Sequence, residues 1–273
     1  MKLAKALEMV ARTDPGMVRS HNEDAVFIDA SLGVAILADG MGGYNAGEVA
    51  SGIATTLLAT NFAREIPLYE SDAGGFSAFS SAGEYLAREV SQANMAVYNT
   101  SQNQPQYAGM ATTLVVAWFC DNRMLVGHLG DSRLYRLRGN VFEQLTKDHS
   151  LLQEQLDSGM ITLEEARYSQ NKNLVTRGLG VDPEVETEIH DHELLVGDIV
   201  MLCSDGLSDM VGDAEIASLL SQPDVALGMI ADSLVHSANE HGGRDNISVI
   251  LVKINGGYPS PSGWWQKLLA RLM

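Results

Sequence analysis

Val34-Ala35-Ile36-Leu37-Ala38-Asp39-Gly40-Met41-Gly42-Gly43 sets an apolar run directly before an aspartate and a glycine-rich turn. The run has the length and Val/Ile/Leu content of a buried strand. Three further runs abut an aspartate: Leu125 to Leu129 before Asp131, Val200 to Cys203 before Asp205, and Ile247 to Val252 just after Asp245. A carboxylate is tolerated at a strand end, where water or a cation reaches it, and is costly in mid-strand. The four aspartates can therefore gather on one rim. Three follow their strands and Asp245 precedes its strand, so a shared rim requires the last strand to run against the others. The pattern predicts a mixed or antiparallel sheet system carrying clustered carboxylates. Such carboxylates repel one another unless protonated or neutralised by divalent cations. Hard, oxygen-seeking ions such as Mg2+ or Mn2+ are their natural partners.

Composition sets the frame for this rim. With 273 residues, 45% of them apolar, the chain can bury one large core or two small ones. Its 35 acidic residues outnumber 18 basic ones, for a net charge of −17. That excess disfavours a general nucleic-acid binder, because a phosphate backbone would be repelled across most of the surface. Cys120 and Cys203 lie in apolar, strand-like runs and read as buried free thiols of a reducing compartment. Glu8 interrupts the apolar stretch after Lys2 and Lys5, no secretory segment follows, and no run reaches transmembrane length. The chain therefore reads as cytoplasmic.

Strands are expected over residues 7 to 37, broken by the turn Thr13-Asp14-Pro15-Gly16. A helix is expected from about Ala46 to Phe62, a loop over 66 to 80, and a second helix from Glu84 to Tyr98. From Thr112 to Leu145 the pattern is a meander of short strands, with turns at Asp121-Asn122 and Arg138-Gly139-Asn140. Residues 149 to 177 are polar and read as a partly helical flap beside the site. Strands follow at 185 to 190 and 199 to 203, then a helix over Val225 to Asn239 and a last strand over 247 to 254. Residues 256 to 263 have linker composition, and Trp264, Trp265, Leu268, Leu269 and Leu272 recur on one helical face. That tail reads equally as an anchor for a membrane surface or partner protein and as a segment that docks on its own domain.

Chemistry-bearing residues recur at comparable strand boundaries. Asp205-Gly206 repeats Asp39-Gly40, and a glycine after the aspartate lets carbonyls and metal waters approach because no Cβ intrudes. Arg19 stands shortly before Glu23-Asp24; if that stretch is extended, Arg19 and Glu23 share one side. Arginine matches phosphate geometry with paired donors, which points to an oxyanion clamp beside metals. His21 and His128 read as satisfied core or surface histidines.

Taken in order, seven segments resemble the metal-dependent type 2C protein serine/threonine phosphatases, in their bacterial single-domain form. They are RSHNEDA (19 to 25), ADGMGG (38 to 43), GMATT (109 to 113), GDSRLYRL (130 to 137), TKDHS (146 to 150), SDGLSDM (204 to 210) and GGRDNISVILV (242 to 252). The resemblance implies an α+β fold, a four-layer α-β-β-α sandwich of two mostly antiparallel sheets flanked by helices. It implies a catalytic domain over 1–255, with a flap at about 149–180, and a linker and short amphipathic tail over 256–273. It also implies two Mn2+ or Mg2+ ions and a third, weaker one. By position, Asp39 resembles the bridging ligand, with the Gly40 carbonyl beside it, and Asp205 and Asp245 resemble terminal ligands. Glu23 and Asp24 resemble the pair that binds or orders metal waters. Asp131 with Asp205 matches the third site, Asp209 stands at its periphery, and Arg19 is similar to the phosphate-binding arginine. Asn246 orients its neighbour, while Ser132, Arg133 and His149 are structural. The implied activity is hydrolysis of phosphoserine and phosphothreonine on proteins by a metal-activated water, with Ser/Thr kinases and their substrates as partners. Many relatives carry a histidine next to or shortly after the Asp-Gly as a proposed proton donor; here Met41 and then Tyr44-Asn45 stand there, and a water of the metal centre is the candidate acid. A phosphoprotein-binding module without turnover and a structural Ca2+-binding domain are the competing classes. The intact aspartates argue against the first, and Arg19 argues against the second.

Overall fold

The computed structural model describes residues 3–43, 45–71, 79–166 and 174–258. The chain opens with α1 (Leu3–Ala6), β1 (Leu7–Asp14), β2 (Asp24–Asp29), β3 (Val34–Met41), α2 (Ala46–Ser71) and α3 (Phe79–Asn103). The meander follows as β4 (Ala111–Thr112), β5 (Leu114–Cys120), β6 (Arg123–Leu129), β7 (Arg133–Arg138) and β8 (Val141–Gln144). After α4 (Leu151–Asp157) and α5 (Leu163–Ala166) come β9 (Glu188–Glu193), β10 (Ile199–Cys203), α6 (Asp205–Ser208), α7 (Asp213–Leu220), α8 (Leu227–Glu240) and β11 (Ile247–Ile254).

One sheet has the order β1-β11-β10-β7-β8 and the other β2-β3-β5-β6-β9, with every ladder antiparallel. Strand alternation assigns the layers. Val34, Ile36 and Ala38 face the core shared with α2 and α3, whereas Ala35 and Leu37 meet Leu202, Ile250 and Val252 of the other sheet. On β10, Met201 and Cys203 turn outward to α7 and α8, and Val200 and Leu202 turn inward. The result is the four-layer α-β-β-α sandwich that the resemblance implied. Strands covered on both faces read as continuous apolar runs, which is why the four runs were legible.

Topology also gathers the aspartates. β3 and β6 both run antiparallel to β5, so Asp39 and Asp131 emerge at the same end of one sheet. β10 and β11 are antiparallel, so Asp205 after one and Asp245 before the other share an end.

Several boundaries differ from the sequence reading. β3 continues past Ala38 to Met41 because Gly40 and Met41 pair with β4, so Asp39 sits inside the ladder. α2 runs on through Pro67 to Ser71, and burial of Ile66 in the core outweighs the proline's cost to the helix. α3 begins at Phe79, so the expected loop narrows from both sides, and residues 72–78 lie outside the description. β9 is shifted to Glu188–Glu193 by its register with β6, and α7 has no counterpart in the sequence reading. Residues 15–23 form a loop, so the extended geometry considered for Arg19 to Glu23 does not occur; β2 begins at Asp24. Within the stretch read as a flap, α4 and α5 supply the expected helical part, with the Ser150 hydroxyl accepting the Gln153 N–H at the start of α4, and residues 167–173 lie outside the description. Tyr258, at the start of the linker-like stretch, is buried, and its N–H donates to Asn122. The tail at 264–273 lies outside the described residues. Among the described residues, no helix is long and apolar enough to cross a membrane.

Candidate active site

Asp39 is fixed through its backbone. Its N–H donates to Thr113 Oγ1 at 3.0 Å, and its carbonyl accepts from Thr113 N–H at 2.8 Å and Thr112 Oγ1 at 2.9 Å. Thr113 Oγ1 in turn lies 2.7 Å from Ser132 Oγ, which ties the GMATT and GDSR segments to the end of β3. Across the β2–β3 ladder Asp24 is the register partner of Asp39. Gly40 donates its N–H to the Glu23 carbonyl at 3.1 Å and lies hard against the first turn of α2. A Cβ at Gly40 would stand 2.1 Å from the Gly47 carbonyl oxygen and 2.6 Å from that of Glu23. Ser51 Oγ also donates to the Glu23 carbonyl, at 2.6 Å, so strand, loop and helix converge behind the acidic pair.

The second sheet supplies the other half. Ser204 Oγ donates to Asp24 Oδ2 at 2.9 Å and accepts the Ser248 N–H at 2.9 Å, locking the end of β10 to β11 and to β2. Asp205 follows Ser204 directly and opens α6. Asp209 closes that helix, with its N–H on the Asp205 carbonyl. Asn246 does more than orient Asp245. Its Oδ1 accepts the Glu23 N–H at 2.8 Å, and its Nδ2 donates to the carbonyls of Pro15 at 3.1 Å and His21 at 2.8 Å. It therefore sets the course of the whole 15–23 loop. Arg19, exposed at the rim, donates from Nη2 to Asp245 Oδ2 at 2.7 Å. Arg133 forks onto Asp148 with three short bonds, the structural role expected of it.

The electrostatics are those of unneutralised carboxylates. Burial, then the charges of Asp24, Asp205, Asp131 and Asp245, push the Asp39 carboxyl well above its ordinary range. Burial, followed by Asp131, Asp209, Asp245 and Asp24, does the same to Asp205. Asp131 is pushed to about 6 by burial, with Asp148 and Asp209 adding. Asp24 reaches about 6 through burial, against its hydrogen bonds from Ser248 and Ser204. Glu23 is raised by burial as well, against the pull of Arg19. Asp24 Oδ1 is buried without a hydrogen-bond partner among the described residues. An orphaned carboxylate oxygen beside mutually repelling acids, with all-oxygen donors, is what hard divalent cations fit.

A pH signature follows from the direction of these shifts. Carboxyls raised above their ordinary value of about 4 stabilise the metal-free fold at low pH. That contribution is lost as pH rises through the folded values near 6. Cations compete with those protons, so the increase in melting temperature caused by a fixed free Mn2+ concentration should grow from pH 5 to pH 7.5. Calorimetry on chelator-treated protein reads this directly. A Mn2+ effect that is flat across the window would remove the carboxylate rim as the cation site.

The sequence reading missed Thr113, Ser204 and Gly47 as parts of this site. The threonine and serine stood inside quoted segments and the glycine just beyond one, but their contacts join elements far apart in the chain.

Two face-to-face sheets, with a rim of repelling carboxylates between them and an exposed arginine at its mouth, define a metal-dependent phosphohydrolase. A family model for protein phosphatase 2C matches residues 18–241. The chain belongs to the protein phosphatase 2C family and is a protein phosphatase of the serine/threonine class. It is 36% identical over 247 residues to the serine/threonine phosphatase stp of Listeria welshimeri, covering 89% of this chain and 94% of that protein. Among solved structures, the Mycobacterium tuberculosis serine/threonine phosphatase PstP/Ppp superposes with a TM-score of 0.81 at 37% identity, covering 92% of this chain and 99% of that one. The catalytic domain of PstP in complex with two manganese ions superposes with a TM-score of 0.78 at 37% identity, covering 90% and 97%.

Proposed function

We propose that this enzyme hydrolyses phosphoserine and phosphothreonine on proteins, opposing bacterial Ser/Thr kinases in the cytoplasm. The observation that carries the reading is the convergence of Asp24, Asp39, Asp131, Asp205 and Asp245 within mutual electrostatic reach, with Arg19 at the mouth of the cluster. The cofactors are Mn2+ or Mg2+. Asp39 with the Gly40 carbonyl, Asp205 and Asp245 would hold two ions. Glu23 and Asp24 would order their waters, and Asp131 and Asp205, with Asp209 at the edge, would hold a looser third. Bound there, such ions supply a water of lowered pKa and offset the charge that builds up on the phosphoryl oxygens.

The protein's own part is positioning. Asn246, Ser204 and Thr113 hold the two carboxylate-bearing strand ends and the 15–23 loop at fixed separation through backbone hydrogen bonds. Arg19, on that loop, offers a planar donor fork to two phosphoryl oxygens. The open rim admits a phosphorylated side chain on a protein surface. A flap over about 149–180 would tune which proteins enter; at its start the His149 N–H donates to the Gly130 carbonyl, one residue before Asp131. Cys203, a fully buried thiol, fits a reducing compartment.

Chelator-treated enzyme should release no phosphate from a phosphothreonine peptide until Mn2+ or Mg2+ is added. Arg19→Ala should raise KM by about 10- to 100-fold, as loss of a charged hydrogen bond of about 1.5–3 kcal/mol implies, and leave the fold intact. An unchanged KM would take the phosphate clamp away from Arg19.

A further inference from the structure

The β6–β9 ladder carries a second group of metal-capable side chains. His128 registers with Glu188 and Val126 with His190. Paired residues in an antiparallel ladder, and residues two apart along a strand, project to the same face. His128, Glu188 and His190 therefore share the inward face at the edge of the sandwich. Their ligand atoms all lie within 4.8 Å of one another, and they are the one such trio of His, Cys, Asp or Glu among the described residues.

The surrounding hydrogen bonds prepare each member for coordination. His128 is fully buried, and its Nε2 stands 2.8 Å from the Lys147 carbonyl. A carbonyl can only accept, so Nε2 carries the proton and the lone pair is on Nδ1. Nδ1 is buried and has no hydrogen-bond partner among the described residues, contrary to the satisfied histidine the sequence implied. His149 is fixed the opposite way round: its Nδ1 accepts the Gly130 N–H at 3.2 Å, so Nε2 is the donor to Glu188 Oε2 at 2.9 Å. It orients the carboxylate. His190 Nε2 reaches Glu188 Oε1 at 2.6 Å. Burial lowers the His128 pKa, which keeps its ring neutral, and although burial alone would raise Glu188, hydrogen bonds from His149 and His190 hold it at about 2. Side-chain exposures of 40% for His190 and 33% for Glu188 leave an entry path.

We propose that His128 Nδ1, a Glu188 oxygen and a ring nitrogen of His190 form a metal site of their own, for a borderline transition-metal dication of the zinc type. Two imidazoles and a carboxylate with one open position suit such an ion, whereas Mg2+ is a poor match to nitrogen donors. The Lys147 carbonyl on His128 and the His149 ring on Glu188 are the outer partners that ligating groups ordinarily have. Tetrahedral bonds of about 2.0–2.1 Å place ligand atoms roughly 3.4 Å apart. The two exposed side chains can close that gap by rotation, with the ion replacing the proton between His190 and Glu188.

The test uses the full chain, stripped with chelator and held in excess Mg2+ so that the oxygen-lined rim is occupied. Titration with Zn2+ should then show one equivalent, and Co2+ in its place should give the intense visible bands of a nitrogen-ligated tetrahedral ion. His190→Asn and Glu188→Gln should each weaken this equivalent by about 100-fold or more and abolish the Co2+ bands. Both positions are partly exposed, so both variants should stay folded by circular dichroism. Asp39→Asn should retain the equivalent. His190→Asn should also keep its Mg2+-dependent phosphatase activity in zinc-free buffer. No Zn2+ equivalent in Mg2+, an equivalent that survives both His190→Asn and Glu188→Gln, or one that disappears with Asp39→Asn overturns the site.

Discussion

Asp39→Asn is expected to lose at least about 1,000-fold in Mn2+-dependent phosphate release, on the order of 4 kcal/mol of transition-state stabilisation, without losing its fold. The loss follows from position. Asp39 is buried and feels the charges of Asp24, Asp205, Asp131 and Asp245 together, so under the proposed assignment it is the ligand through which a cation is shared between the two sheets. The accompanying stability change distinguishes this from unfolding. An amide at this position removes a buried charge that the neighbouring acids oppose, so the metal-free variant should melt no lower than metal-free wild type, and added Mn2+ should raise its melting temperature less. Phosphate-release kinetics and calorimetry on the same preparation read both effects. Full activity in the variant would sink the binuclear assignment.

Gly40→Ala should damage both stability and activity through steric contact alone. The new methyl would sit 2.1 Å from the Gly47 carbonyl oxygen, 2.4 Å from the Gly47 carbonyl carbon and 2.6 Å from the Glu23 carbonyl oxygen. All three are backbone atoms, so no side chain can rotate out of the way. β3 must part from α2 or from the 15–23 loop, which moves Asp39 away from Glu23 and Asp24. Overpacking of this kind costs about 1–3 kcal/mol or more, and a misplacement near 1 Å in an active site costs about 100-fold in rate. Gly43→Ala is the control, because a Cβ there meets nothing within 4 Å and should be near neutral. Equal melting temperatures and rates for the two variants would show that the close approach at Gly40 has no consequence.

Much of this was legible from the chain. Apolar runs that end at aspartates marked the strands because both faces of each sheet are covered, and an inward charge is affordable only at their ends. The positive φ of Asp121 and Asn122, at 50° and 58°, bears out the turn read at those residues between β5 and β6. Other features were illegible for identifiable reasons. Periodicity stopped α2 at Phe62, yet Ile66 is buried in the same core cluster as Phe62 and Trp118 and carries the helix through Pro67. β9 contains Glu188, His190 and His192, so its apolar signal is weak, and only the ladder with β6 fixes it.

By itself, the sequence determined the sheet-forming runs, the acids at their ends, the arginine that precedes the Glu23-Asp24 pair and the demand for divalent cations, because hydrophobic burial and charge repulsion are properties of residue types. Tertiary structure alone decided which aspartate faces which, that Asn246 and Thr113 steer the site from distant segments, that Gly40 must lack a side chain, and that His128 is left, among the described residues, with an unpartnered nitrogen beside Glu188 and His190. Those facts depend on strand register and on close approach between elements more than two hundred residues apart, as in the Glu23–Asn246 hydrogen bond with its separation of 223. No local pattern in a chain encodes a distance of that kind.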